Sequence, residues 1–133
     1  HPPAERRYTV LIVDDEASIL QWLSRVLVAA DYSVLAADDA KSARWTLADH
    51  DVDAVILDVG LTGVDTGLDV LDSLRADTAH SGIPVIVLTG ATLTAAEQRR
   101  IRTLRADVLQ KPTSVTQIVA CLGEMLGRRE AAA

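Results

Sequence analysis

Phenylalanine is absent from the 133 residues, and two tryptophans and two tyrosines supply all the aromatic side chains. Any core must therefore be built from Val, Leu, Ile and Ala, in a chain whose 49% hydrophobic and 24% charged residues lie near globular averages. Cysteine is nearly missing too. Cys121 stands alone, so no disulfide can close within the chain, and without a CxxC pair or Cys/His cluster there is no thiolate zinc site. A reducing, cytoplasmic setting is expected. Long apolar runs are lacking: the longest charge-free stretch, 81–96, is broken by Gly82, Pro84, Gly90 and several threonines, which excludes a membrane span. The first residues show no secretory signal pattern. Positive charge is in deficit, and a net charge of -6 argues against a surface that neutralises nucleic-acid phosphates. The chain opens His1-Pro2-Pro3 rather than on methionine, as expected of a fragment with flanking domains elsewhere.

The length suits one domain. It is expected over residues 8–127, with a flexible lead at 1–7 and a flexible tail at 128–133. Thr9 to Val13, Ala54 to Leu57 and Val85 to Leu88 are continuous aliphatic runs, the pattern of parallel strands covered on both faces. Ser33 to Ala37 reads as an edge strand and Val108 to Gln110 as a short last one. Between them Ile19, Leu20, Leu23, Val26, Leu27 and Ala30 form one helical stripe, with Gln21, Ser24 and Arg25 opposite. Ala40 to Ala48 and Leu68 to Leu74 also read as helices. Thr94-x-x-Glu97 and Ser114-x-x-Gln117 match capping boxes, which start two more. A βα unit repeated five times predicts an α/β fold with right-handed crossovers, a doubly wound three-layer sandwich.

A polar residue follows where each central aliphatic run stops: Asp14 and Asp15, then Asp58, then Thr89, with Lys111 after the last strand. Parallel doubly wound sheets bind ligands outside the carboxyl ends of their strands, so these groups are expected to converge. Three carboxylates that close repel one another, and a hard, oxygen-only donor set is what Mg²⁺ prefers. Phosphoryl transfer needs a positioned nucleophile and cations on the phosphoryl oxygens, and little else. Asp58 suits the nucleophile, Lys111 a point charge and Thr89 a hydroxyl donor.

The segments VLIVDDE, AVILDVG, VIVLTGA and VLQKP, in that order and spacing, resemble the signature segments of the response-regulator receiver family of two-component signalling, the CheY-like family. The likeness runs from Tyr8 to about Gly127. It implies a flavodoxin-like sheet of strand order 2-1-3-4-5 and makes Asp58 the phosphoacceptor. Asp15, Asp58 and the Gly60 carbonyl then bind Mg²⁺ directly and Asp14 through water, while Thr89 and Lys111 sense the phosphoryl group. The Lys111-Pro112 bond is expected to be cis, against about 5% for X-Pro bonds in general. The expected partners are a sensor histidine kinase or histidine phosphotransfer domain, an output domain or target docking on the last helices and strand, and a second copy as a homodimer. Nucleic acid and membrane are not expected as direct partners. The domain is expected to be a phosphoacceptor rather than an enzyme.

Several positions depart from the family pattern. Val108 stands where an aromatic switch residue is usual, so signal transmission is expected to differ or weaken. The loop VGLTGVDTG, 59–67, has Thr62 in place of the common Pro and one extra residue, and the turn 104–107 lacks the customary Gly. Gly60 and Ala91 occupy positions that tune phosphoryl lifetime, and neither can position a water, so decay is expected to be neither assisted nor hindered. Two other functions compete. One is a receiver-like docking module that works without phosphorylation, suggested by Val108. The other is an aspartyl-phosphate hydrolase, which would place a second aspartate two residues after the nucleophile, where this chain has Gly60. The arginines at 99, 100, 102 and 105 read as a solvated helix face, with partner docking as the sharper alternative, Trp22 and Trp45 as packing residues, Cys121 as a buried core thiol rather than a nucleophile, and His50 and His80 as surface residues.

Overall fold

The computed structural model describes residues 7–60, 66–90, 92–111 and 113–132. Strands and helices alternate as β1 Thr9–Val13, α1 Ala17–Ala29, β2 Ser33–Ala37, α2 Ala40–Asp49, β3 Ala54–Leu57, α3 Gly67–Ala76, β4 Val85–Thr89, α4 Ala95–Thr103, β5 Asp107–Gln110 and α5 Val115–Ala132. Every strand pairing is parallel, in the order β2-β1-β3-β4-β5. This is the doubly wound sheet expected from the repeated βα pattern, in the flavodoxin-like strand order that the family resemblance implies. The chain winds outward from β1 to β2 and then crosses back to β3, so the order reverses between β1 and β3. That reversal opens a crevice at their carboxyl ends.

Alternate residues of the central strands point to opposite layers. Leu11, Val13, Val55, Leu57, Val85 and Val87 pack with Ala43 and Leu47 of α2, Leu71 and Leu74 of α3, and Ile101 of α4. Val10, Ile12, Ala54, Ile56, Ile86 and Leu88 pack with Leu23 and Leu27 of α1 and with Ile118 and Leu122 of α5. Since both faces are covered, β3 and β4 are buried along their whole lengths, which is why their sequences show no polar alternation. Each fully buried Leu, Ile or Val contributes about 1.5–3 kcal/mol by leaving water. No phenylalanine is needed because aliphatic side chains fill both layers.

The two expected capping boxes are present, with Glu97 N–H donating to Thr94 Oγ1 at 3.1 Å and Gln117 N–H to Ser114 Oγ at 3.1 Å. A third, which the sequence reading did not include, starts α3: Thr66 N–H donates to Asp69 Oδ2 at 2.9 Å and Asp69 N–H to Thr66 Oγ1 at 3.3 Å. The tail expected at 128–133 is helical as far as Ala132. Arg128 pairs with Glu124 one turn back at 3.2 Å, and Arg129 donates to the Asp53 carbonyl at 3.0 Å, which ties the last turns to the domain.

The tryptophans correct their expected role as packing residues. Trp45 is 68% exposed and Trp22 38%, so neither indole is part of the buried aliphatic layers. Cys121 is half-buried rather than a core thiol, with burial and the neighbouring Asp107 carboxylate both raising its pKa. The arginine face is more than solvated: Arg100 pairs with Asp69 at 3.3 Å and with Asp72, bridging α4 to α3. Arg105 takes the left-handed conformation, φ 59°, in the turn where the customary glycine is missing.

Candidate functional site

Asp14, Asp58 and Thr89 are the only buried polar residues among those described, at 2%, 8% and 1% exposure. All three lie at the carboxyl ends of central strands, β1, β3 and β4. Burying polar groups costs stability unless they are paired, so their confinement to one crevice marks a site rather than a packing accident. The ladder carries on past the strands to hold them. Asp14 N–H donates to Ala37 O at 3.1 Å, Asp58 N–H to Val13 O at 2.9 Å, and Lys111 N–H to Thr89 O at 2.7 Å.

Carboxylate oxygens of Asp14, Asp15 and Asp58 all lie within 4.8 Å of one another. Asp15 is exposed and the other two are buried. The Lys111 ammonium reaches into the group, 3.3 Å from Asp14 Oδ2 and 3.9 Å from Asp58 Oδ2. Asp14 Oδ1 also accepts the Glu16 N–H at 2.9 Å, and Asp58 Oδ1 accepts the Gly60 N–H at 2.9 Å. Burial pushes the Asp58 carboxyl above its ordinary range, helped by the charges of Asp14 and Asp15 and opposed by the Gly60 N–H and Lys111. One ammonium among three carboxylates leaves negative charge in excess. Clustered oxygen donors in a partly buried crevice fit a hard divalent cation such as Mg²⁺.

Asp14, Asp15, Asp58, Thr89 and Lys111, which were expected to converge, share one edge of the sheet. A Cβ at Gly60 would stand 3.4 Å from Asp58 Oδ1, so that position adjoins the carboxylate. Ala91, Thr62 and Pro112, with the expected cis bond before it, lie outside the described residues. Val108 lies outside the crevice. It is 39% exposed on β5, where it lines a groove of about 530 Å³ beside Leu93 and Ile101.

Gly67 was missed by the sequence reading. It opens α3 against the back of the Asp58 segment, and a Cβ there would meet Asp58 O at 2.2 Å and Val59 Cα at 2.8 Å. Only glycine allows the helix to approach so closely. A glycine at the first position of a helical pattern, directly after a capping threonine, was the available signal.

Residues 10–122 match the response regulator receiver domain. The phosphate regulon transcriptional regulatory protein PhoB of Pseudomonas aeruginosa is 33% identical over 123 residues, covering 90% of this chain and 52% of that protein. The transcriptional regulatory protein KdpE of Mycobacterium tuberculosis is 35% identical over 124 residues, covering 93% and 53%. The chain thus spans about half the length of the curated relatives it matches. The solved structure of chemotaxis protein CheY4 from Vibrio cholerae superposes with a TM-score of 0.82 at 27% identity, covering 90% of this chain and 99% of that one. A family match over most of the length, on a sheet that carries the acidic crevice at its carboxyl edge, shows that this chain belongs to the response regulator receiver domain family.

Proposed function

We propose that Asp58 is the phosphoacceptor of this receiver domain, taking a phosphoryl group from a sensor histidine kinase or a histidine phosphotransfer domain with Mg²⁺ bound in the acidic crevice. The observation that carries this reading is the buried Asp58 carboxylate facing Lys111, with oxygens of Asp14 and Asp15 within 4.8 Å.

The Gly60 N–H bond to Oδ1 holds the Asp58 carboxylate in one orientation. A carboxylate oxygen attacks the phosphorus of a phosphohistidine; the O–P bond forms as the P–N bond breaks, and its electron pair returns to the imidazole nitrogen. Lys111 leaves its shared position between Asp14 and Asp58 and takes a phosphoryl oxygen as a point charge. Thr89, buried at the end of β4, donates its hydroxyl to a second oxygen. Asp15, Asp58 and the Gly60 carbonyl would hold Mg²⁺ directly, with Asp14 acting through water. When bound, the cation neutralises carboxylate repulsion and the charge on the phosphoryl oxygens.

The product adds roughly -1.5 to -2 charges at neutral pH, and the response is a shift between two conformations read by a partner on the last helices and strand. Such a partner is an output domain, a target protein or a second copy, and the reaction belongs in the cytoplasm. The domain acts as a signalling acceptor, not as an enzyme with a separate substrate. The docking-only reading rests on Val108 and the altered loops; Val108 lies away from the crevice and leaves the acceptor group intact, and residues 61–65 of the loop lie outside the described residues.

Incubation with acetyl phosphate, with and without Mg²⁺, followed by intact mass, tests this directly. One phosphoryl adduct that needs the cation and disappears in Asp58→Asn is expected. An adduct that survives in Asp58→Asn, or none in the parent protein at any Mg²⁺ concentration, overturns the assignment.

A further inference from the structure

At the other end of the sheet, where β4 and β5 begin, the chain gathers positive charge against its overall balance of -6. Arg75, Arg105, Arg128 and Arg129 line an open pocket of about 540 Å³, with buried Ile83 and Met125 among its apolar walls. The five residues of β4 separate this pocket from the Asp58 crevice by roughly 17 Å.

Arg75 is fixed in place. Its guanidinium donates to Leu104 O at 2.7 Å, Ile83 O at 2.6 Å, Ser81 O at 3.1 Å and Arg105 O at 3.2 Å. The Arg105 guanidinium donates to the same Ser81 carbonyl at 3.1 Å, so two cations share one neutral acceptor. Among the described residues neither is in an ion pair with a carboxylate. Burial and the charge of Arg105 both depress the Arg75 pKa, the direction expected of a cation pressed against another. Arg105 reaches this place through a left-handed backbone, φ 59°, a conformation unfavourable for a side-chain-bearing residue. Arg128 differs, since Glu124 and Asp107 partly balance it.

We propose that this pocket is a docking site for an acidic peptide segment of a partner protein, one apolar side chain entering against Ile83 and Met125 while flanking carboxylates meet Arg105 and Arg129. Preset guanidinium groups match carboxylates with little ordering cost. The apolar walls favour a peptide over a bare anion. A nucleic acid would extend beyond the pocket onto Glu124 and Asp107, and the net negative charge opposes it. The inference is independent of phosphorylation at Asp58.

The probe is the pentapeptide Glu-Asp-Leu-Glu-Asp, blocked at both ends and titrated into the whole chain at low salt while backbone amide NMR shifts are followed. Saturable shifts at Ser81, Arg105 and Arg129 are expected, weakened by added salt and absent with Gln-Asn-Leu-Gln-Asn. The double variant Arg105→Gly, Arg129→Gln keeps a residue that tolerates the left-handed turn and leaves Arg75 in place. It should bind the peptide roughly tenfold more weakly while accepting phosphate from acetyl phosphate as the parent does. Arg129→Gln alone, at an exposed helix end, gives a smaller loss in the same direction. Shifts elsewhere, equal binding by the neutral peptide, undiminished binding by the variants, or a preference for inorganic pyrophosphate or duplex DNA over the peptide would each overturn the proposal.

Discussion

Replacing Gly67 by alanine tests whether α3 positions the backbone that carries Asp58. The added methyl would lie 2.2 Å from the Asp58 carbonyl oxygen, 2.9 Å from the Asp58 carbonyl carbon and 2.8 Å from Val59 Cα. All three are main-chain atoms, so no rotamer change relieves the overlap. Ordinary contact begins near 3.4 Å, which means that helix and segment must part by about an ångström. Overpacking of this kind costs about 1–3 kcal/mol, and the better helix propensity of alanine returns at most about 1 kcal/mol. A net loss near 1–2 kcal/mol lowers the melting temperature by roughly 3–10 °C in a domain of this size. A displacement of that size at the acceptor also slows phosphorylation by on the order of a hundredfold. Thermal denaturation and a time course of acetyl phosphate labelling by intact mass measure the two effects. Gly60→Ala is the control, because its nearest contact, 3.4 Å from Asp58 Oδ1, is an ordinary one and stability should not change. Wild-type melting together with wild-type labelling in Gly67→Ala would refute the reasoning.

The raised pKa of Asp58 makes a pH prediction. The folded protein holds this proton at pH values where the unfolded chain, near 3.8, has released it, so the stability it contributes is present at low pH and lost as pH rises through the folded value. Asp58→Asn should therefore be more stable than the parent at pH 7 in magnesium-free buffer, with the difference shrinking toward pH 4; a difference in urea midpoint that stays flat with pH contradicts it. Arg75→Met withdraws the donor from four carbonyl oxygens and should cost roughly 2–4 kcal/mol by urea denaturation. An unchanged midpoint would show that water replaces the guanidinium freely. Trp22 lines a cavity with Lys111, whereas Trp45 stands out in solvent. Phosphorylation should change the fluorescence of the parent and of Trp45→Phe but not of Trp22→Phe, and the reverse pattern would place the movement elsewhere.

The period of the apolar residues settled the layers. Short, uninterrupted aliphatic runs at β1, β3 and β4 fit strands covered on both faces, and helical patterns alternating with the strands favour parallel crossovers. Reactive residues placed just after those runs had to meet at one edge, because parallel strands end together. Asp14, Asp58, Thr89 and Lys111 were legible for that reason. So were the boxes at Thr94 and Ser114, whose bonds span three residues of local chain.

Contacts between segments far apart in the chain were not legible. The approach of Gly67 to Asp58, the hold of Arg75 on Leu104 and Ile83, and the bond from Arg129 to Asp53 depend on how layers stack, and nothing in a local pattern specifies that distance. Trp22 and Trp45 read as packing residues by type, but their exposure is decided by the tertiary arrangement. Arg105 stood in a turn that lacks its usual glycine, and only the folded chain shows that it takes glycine's conformation and sets its charge beside Arg75. Composition and periodicity thus specified which residues face the sheet and which close its acidic edge, because those follow from backbone geometry repeated along the chain. The positive pocket at the opposite edge came from tertiary structure alone, because its arginines come from three separate segments whose spacing in sequence carries no period.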